Sequence, residues 1–93
     1  MRVRFIPNVP VEMVLETTTG ARLIRPDKPP ERVFLAADGR RFYLPETSAG
    51  ELVLRLAEQG IGAGEPISIC LESGHGAAAR WRVYRTPAAG NEH

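Results

Sequence analysis

Thr47-Ser48-Ala49-Gly50-Glu51-Leu52-Val53-Leu54-Arg55-Leu56-Ala57-Glu58-Gln59 is the stretch of this chain that reads as helix, set among segments that read as strands. Ser48 followed three residues later by Glu51 matches a capping box, in which each side chain satisfies a backbone donor at the helix start. Leu52, Val53 and Leu56 make an apolar stripe that Ala57 widens, and Glu51 and Arg55 stand four apart in the favourable order. Gly60 followed by Ile61 reads as a Schellman stop with its hydrophobic contact. The spacing predicts a helix over Thr47 to Gln59. Leu54 falls on the opposite, polar side, as an exposed patch residue or a mark of burial wider than one stripe.

On both sides of this helix the pattern alternates with period two, as in half-buried strands. Downstream, after Gly62-Ala63-Gly64, residues Ile67, Ile69 and Leu71 alternate with Ser68, Cys70 and Glu72. A small-residue connection from Ser73 to Ala79 leads into Arg80 to Thr86, which completes a hairpin. In that last strand Trp81 and Val83 share one face, while Arg80, Arg82 and Tyr84 share the other. Upstream, Val11, Met13 and Leu15 alternate with Glu12, Val14 and Glu16, and Thr17 to Gly20 reads as a turn. Ala21 to Arg25 is a second short strand with Leu23 inward. Pro26, Asp27, Lys28, Pro29 and Pro30 read as a stiff loop, because consecutive prolines exclude regular structure there. Val33, Phe34 and Leu35 begin a third strand, Asp38-Gly39 turns the chain, and Phe42, Tyr43 and Leu44 return as a fourth.

The expected fold is therefore mostly β with one helix (α+β): a small antiparallel β-barrel or roll of about six short strands, its helix placed before a C-terminal hairpin. One domain over residues 1–86 is expected, with 87–93 as a flexible tail. Trp81, Val83, Ile67, Ile69, Leu71, Leu52 and Leu56 are its expected core. A chain of 93 residues, 43% hydrophobic and 25% charged, has an ordinary globular composition. At this size about 60 to 65% of the unfolded surface is buried, so the stability margin is thin.

The net charge of +1 excludes a polycation drawn to any acidic surface, but the charge is unevenly spread. Glu46, Glu51, Glu58 and Glu65 oppose only Arg55 in the middle of the chain, whereas Arg80, Arg82 and Arg85 face no acid within their segment. All the basic residues except Lys28 are arginine, which suits bidentate contact with phosphate or carboxylate.

Catalysis needs convergent groups, and Cys70, His75 and His93 are the obvious nucleophile, base or soft-ligand side chains. Cys70 sits mid-strand beside core residues, His75 in a loop between glycines, and His93 in the tail, so no catalytic pair is expected. A single cysteine forms no internal disulfide and no Cys-x-x-Cys pair, which fits a reducing compartment. Gly60, Gly62 and Gly64 follow a helix rather than opening one, so they are not a phosphate cradle. Arg2 and Arg4 resemble the start of a signal peptide, but Pro7, Asn8, Pro10 and Glu12 interrupt any apolar run behind them. No stretch approaches the roughly 20 apolar residues of a membrane span. The expectation is a soluble cytoplasmic protein, with no enzyme activity, cofactor, metal or membrane partner.

Two places combine arginine with tyrosine. Arg80, Arg82 and Tyr84 form one basic, aromatic face; Arg40 and Arg41 with Tyr43 repeat the combination at the other hairpin. Small β-barrels bind single-stranded nucleic acid by stacking bases on aromatics beside positive groups. The order of strands, helix and final hairpin over roughly Val11 to Thr86 is similar to the oligonucleotide-binding fold, a five-stranded barrel with a helix between its third and fourth strands. A long first strand broken at Thr17 to Gly20 brings the strand count into line. The resemblance implies a non-catalytic module contacting single-stranded DNA or RNA through Arg80, Arg82 and Tyr84, assisted by Arg41 and Tyr43. Exposed strand positions also take arginine simply to stay solvated and to discourage edge pairing. The alternative is a protein-interaction or homodimerisation module in which a strand edge or Leu54 docks a partner.

Overall fold

The computed structural model describes residues 1–74 and 76–86. His75 and the expected tail at 87–93 lie outside the described residues. Strands β1 (Val11–Val14), β2 (Ala21–Arg25), β3 (Lys28–Leu35) and β4 (Arg41–Pro45) precede helix α1 (Glu46–Glu58), and β5 (Pro66–Ser73) and β6 (Arg80–Arg85) follow it. They form two antiparallel sheets, ordered β1-β5-β6 and β2-β3-β4. An N-terminal segment adds a further extended piece, because Arg2 bridges Arg41 in parallel. The expected count of about six strands omits it, since a parallel bridge to a distant strand leaves no local pattern.

No closed barrel forms among the described residues. The two sheets meet at one isolated bridge, Leu15 to Ala36, just beyond the ends of β1 and β3. Leu15, just past β1, faces Ala36, and Ala21 of β2 faces Val33, so the chain touches the end of β3, is interrupted at residues 16–20, and then pairs along β3 as β2. Gly20 makes the interruption possible. Its φ of +72° favours glycine, and a Cβ there would stand 3.0 Å from the Phe34 ring. On the far side, β4 and β6 belong to different sheets and do not pair with each other, and Phe5 stands between them. Its ring meets Phe42 edge-on at 5.0 Å and Trp81 at 4.9 Å.

Period-two alternation places the core residues where expected. Met13, Leu15, Phe34, Phe42, Leu44, Ile67, Ile69, Leu71, Trp81 and Val83 are buried together with Leu52 and Leu56 of α1. Ile69 pairs with Val83 and Leu71 with Trp81 across the final hairpin. Leu23 departs from expectation. Its neighbour Arg22 reaches the helix residue Glu46 at 2.7 Å, so Leu23 lies on the opposite, outer face and is half-buried. Pro29 and Pro30 lie in β3 rather than in a loop. Arg25 pairs with Lys28 and Leu23 with Glu31, so the two prolines oppose the single residue Ile24 in a bulge. Pairing with β4 starts only at Glu31, which leaves this end of β3 able to forgo ladder donors.

The helix stops as expected: Gly60 (φ 66°) donates to the Ala57 carbonyl and Ile61 to that of Leu56, both at 3.0 Å, a Schellman pattern. Its start is different. The helix begins at Glu46 with Pro45 as N-cap, and no side chain caps it. Pro45, with φ of −56°, is preset for helical entry. Ser48 and Glu51 are engaged elsewhere, by Trp81. The Ser48 Oγ accepts from the indole Nε1 at 3.0 Å, and Glu51 Oε1 accepts from the Trp81 backbone N–H at 2.9 Å. Among the described residues no helix is long and apolar enough to cross a membrane.

Candidate nucleic-acid interface

The β6 surface takes its form from strand register. Arg82 stands opposite Cys70 and Tyr84 opposite Ser68, while Trp81 and Val83 point into the core. Arg82 is already engaged: its Nη1 lies 3.5 Å from Glu72 Oε2 and its Nη2 3.8 Å from Cys70 Sγ. Arg85 is held more firmly, with Nε 2.6 Å from Glu65 and further bonds to the Gln59 and Gly60 carbonyls. Glu65 also accepts from the Gly62 N–H, and Arg85 followed by this contact lowers its pKa. Arg80 is exposed and has no ion-pair partner among the described residues. Tyr84 is 38% exposed, the main aromatic surface on this face.

Arg41 and Tyr43 lie on the other sheet, at outward positions of β4. The N-terminal segment fixes Arg2 beside them, since Val3 N–H donates to the Arg41 carbonyl and Arg41 N–H to the Met1 carbonyl, each at 2.8 Å. This backbone pairing sets the Arg2 guanidinium 4.9 Å from the centroid of the Tyr43 ring, a cation–π geometry. Across the sheet Tyr43 pairs with Val33, and Glu31 lies two residues along the same face of β3. The β2–β3 turn adds Arg25 and Lys28. Arg2, Arg25, Lys28, Glu31, Arg41 and Tyr43 line one open cleft of about 360 Å³.

Most arginines outside this cleft are paired with carboxylates. Arg22 and Arg32 pair with Glu46, Arg40 with Asp38, Arg55 with Glu51 and Glu58, Arg82 with Glu72, and Arg85 with Glu65. Arg2, Lys28 and Arg41 have no such partner among the described residues. Arg25 has only a long contact, 3.9 Å to Glu31. Of the cations left without carboxylates, Arg4 and Arg80 stand elsewhere, whereas Arg2, Lys28 and Arg41 gather around Tyr43 with the weakly held Arg25, and Glu31 is the single acid among the cleft's lining residues. Such a surface attracts a polyanion that also offers a flat group for stacking.

Arg40 does not extend this surface. It is folded back onto Asp38 at 2.8 Å and donates to the Glu12 carbonyl at 2.7 Å. Nor are the two tyrosine faces joined through strand pairing, because β4 and β6 belong to different sheets. The sequence pattern had marked Arg41 and Tyr43, two residues apart in one strand. It missed Arg2, Arg25, Lys28 and Glu31, which join them through a parallel bridge and a bulge that no local spacing announces.

Cys70 is fully buried. His75 and His93 lie outside the described residues, and among the described residues no three His, Cys, Asp or Glu side chains cluster to hold a metal. No protein-family model matches the chain, and neither curated proteins nor solved structures yield a match.

Proposed function

We propose that the chain is a non-catalytic cytoplasmic binding module for single-stranded nucleic acid, with an open architecture akin to the oligonucleotide-binding fold. The supporting observation is the gathering of Arg2, Arg25, Lys28 and Arg41 around Tyr43 when most other arginines are paired with carboxylates. In this reading Tyr43 stacks on a base and the cations neutralise the flanking phosphates. Arg80, Arg82 and Tyr84 provide a second basic face, with Arg82 partly neutralised by Glu72. The order of elements supports the fold analogy: β1 and β2 act as one interrupted first strand, and α1 follows the third of the resulting strands.

Fluorescence anisotropy with short DNA and RNA oligomers at two salt concentrations tests the proposal. Binding that weakens steeply with salt is expected, because phosphate contacts release counterions. No binding at low salt overturns it.

Leu54, 51% exposed on α1, favours the rival reading of a protein-docking or self-associating module. Light scattering separates the two. A dimer that dissociates on Leu54→Asp, without any oligomer binding, supports docking.

A further inference from the structure

The geometry points to Glu31 as a base-reading residue that gives the Tyr43 cleft a preference for guanine. This inference rests on the proposed binding of single-stranded nucleic acid. A carboxylate in a site built only for phosphate is counterproductive, since it repels the ligand. Glu31 is nevertheless the one acid lining a cleft with four cations. Its nearest cation, Arg25, is 3.9 Å away, outside hydrogen-bonding distance. No hydrogen bond engages the Glu31 carboxylate among the described residues, so its acceptor capacity is open.

Register places Glu31 to read the edge of a stacked base. Tyr43 lies directly across from Val33, and Glu31 is the next residue on that face of β3, paired with Pro45. Diagonal neighbours of this kind lie about 7 to 8 Å apart, within reach of long side chains. A base that takes the place of the Arg2 guanidinium on the Tyr43 ring therefore presents an edge toward Glu31, with Arg41 two residues away along β4 on the opposite side.

A carboxylate only accepts hydrogen bonds, so it selects an edge that donates. In a single strand the Watson–Crick edge is free. Guanine presents N1–H and the N2 amine side by side, matching the two carboxylate oxygens. Adenine and cytosine each offer one exocyclic amine beside an acceptor, and uracil and thymine offer one ring N–H between two carbonyls. Bidentate contact thus favours guanine, and inosine, which lacks the N2 amine, loses half of it.

The test compares fluorescence anisotropy for 5-mers of adenines carrying guanine, inosine, cytosine or adenine at the centre, with the wild-type chain and Glu31→Gln at low salt. Wild type is expected to bind the guanine oligomer about tenfold more tightly than the all-adenine one, with inosine between them. Glu31→Gln is expected to lose this ranking while binding the all-adenine oligomer at least as well, because an acid facing phosphate has been removed. Equal binding of all four oligomers by wild type overturns the inference and leaves the binding proposal standing. A ranking retained in Glu31→Gln overturns it as well. Absence of binding to every oligomer overturns the proposed function and the inference together.

Discussion

Trp81 donates its indole N–H to Ser48 Oγ at 3.0 Å, in the buried interior where β6 meets the first turn of α1. One helical turn further, Glu51 accepts the Trp81 backbone N–H and also holds Arg55 at 2.7 Å. One strand residue is thus gripped twice by residues three apart on one helix face. The first half of α1 is positioned over the hairpin by polar contacts, and the second half by Leu52 and Leu56.

Ser48→Ala leaves the indole N–H without an acceptor inside the core. An unpaired buried donor costs about 1 to 3 kcal/mol, offset slightly by the better helix propensity of alanine. Urea denaturation followed by far-UV circular dichroism is expected to show that loss. Trp81→Phe should make Ser48→Ala much less costly, because the donor is already gone. Additive effects of the two changes would contradict the contact.

Gly20→Ala tests the interruption between β1 and β2. The substitution combines a left-handed backbone with a Cβ 3.0 Å from the Phe34 ring, itself fully buried and stacked on Phe42 at 5.1 Å. A non-glycine residue held in that backbone region costs on the order of 1 to 3 kcal/mol, before any displacement of the ring. Thermal unfolding should show a clearly lower midpoint. Gly39→Ala, where a Cβ meets nothing within 4 Å, should carry only the backbone penalty.

Acid sensitivity follows from Glu46 and Glu65. The hydrogen bond from Arg32, at 2.7 Å, does most to hold Glu46 below its ordinary value of 4.5, with Arg22 at 2.7 Å adding attraction. The Glu46 Oε2 near Arg22 receives no aligned hydrogen bond, so that contact acts mainly through charge. Arg85 lowers Glu65 in the same way. A carboxylate whose folded pKa is depressed stabilises the fold above its unfolded value and loses that contribution as pH falls through the folded value. The melting temperature should hold steady toward pH 5 and fall below 4.5. Glu46→Gln should lower the plateau and flatten the acid limb.

The two basic faces are distinguishable by mutation. Tyr43→Ala is expected to weaken oligomer binding by about 1 to 3 kcal/mol, the range for one stacked base. Arg41→Ala should weaken it for all sequences and reduce the salt slope. Arg82→Ala should matter less, since that guanidinium is shared with Glu72 and Cys70. An anisotropy series in which Arg82→Ala costs more than Arg41→Ala would move the interface to β6.

Much of the architecture was legible because its causes are local. Alternation with period two assigned Trp81 and Val83 to the interior, and Gly60-Ile61 marked the helix end through backbone bonds spanning a few residues. The capping-box reading of Ser48 and Glu51 failed for the complementary reason. Local chemistry offered them the helix N-terminus, but Trp81, some thirty residues on, presents two donors that only the folded chain brings within reach.

The candidate site divides in the same way. By itself the sequence determined that Arg41 and Tyr43 share one strand face, and Arg80, Arg82 and Tyr84 another, because side-chain direction alternates along any strand. Only the tertiary structure decided which cations remain without a carboxylate. That depends on pairing between distant segments: Arg82 meets Glu72 across a hairpin, whereas Arg2 and Arg41 are joined by a parallel bridge, and Arg25 and Lys28 reach the cleft at the end of a bulged one. Charge is a property of residues, but its neutralisation is a property of register.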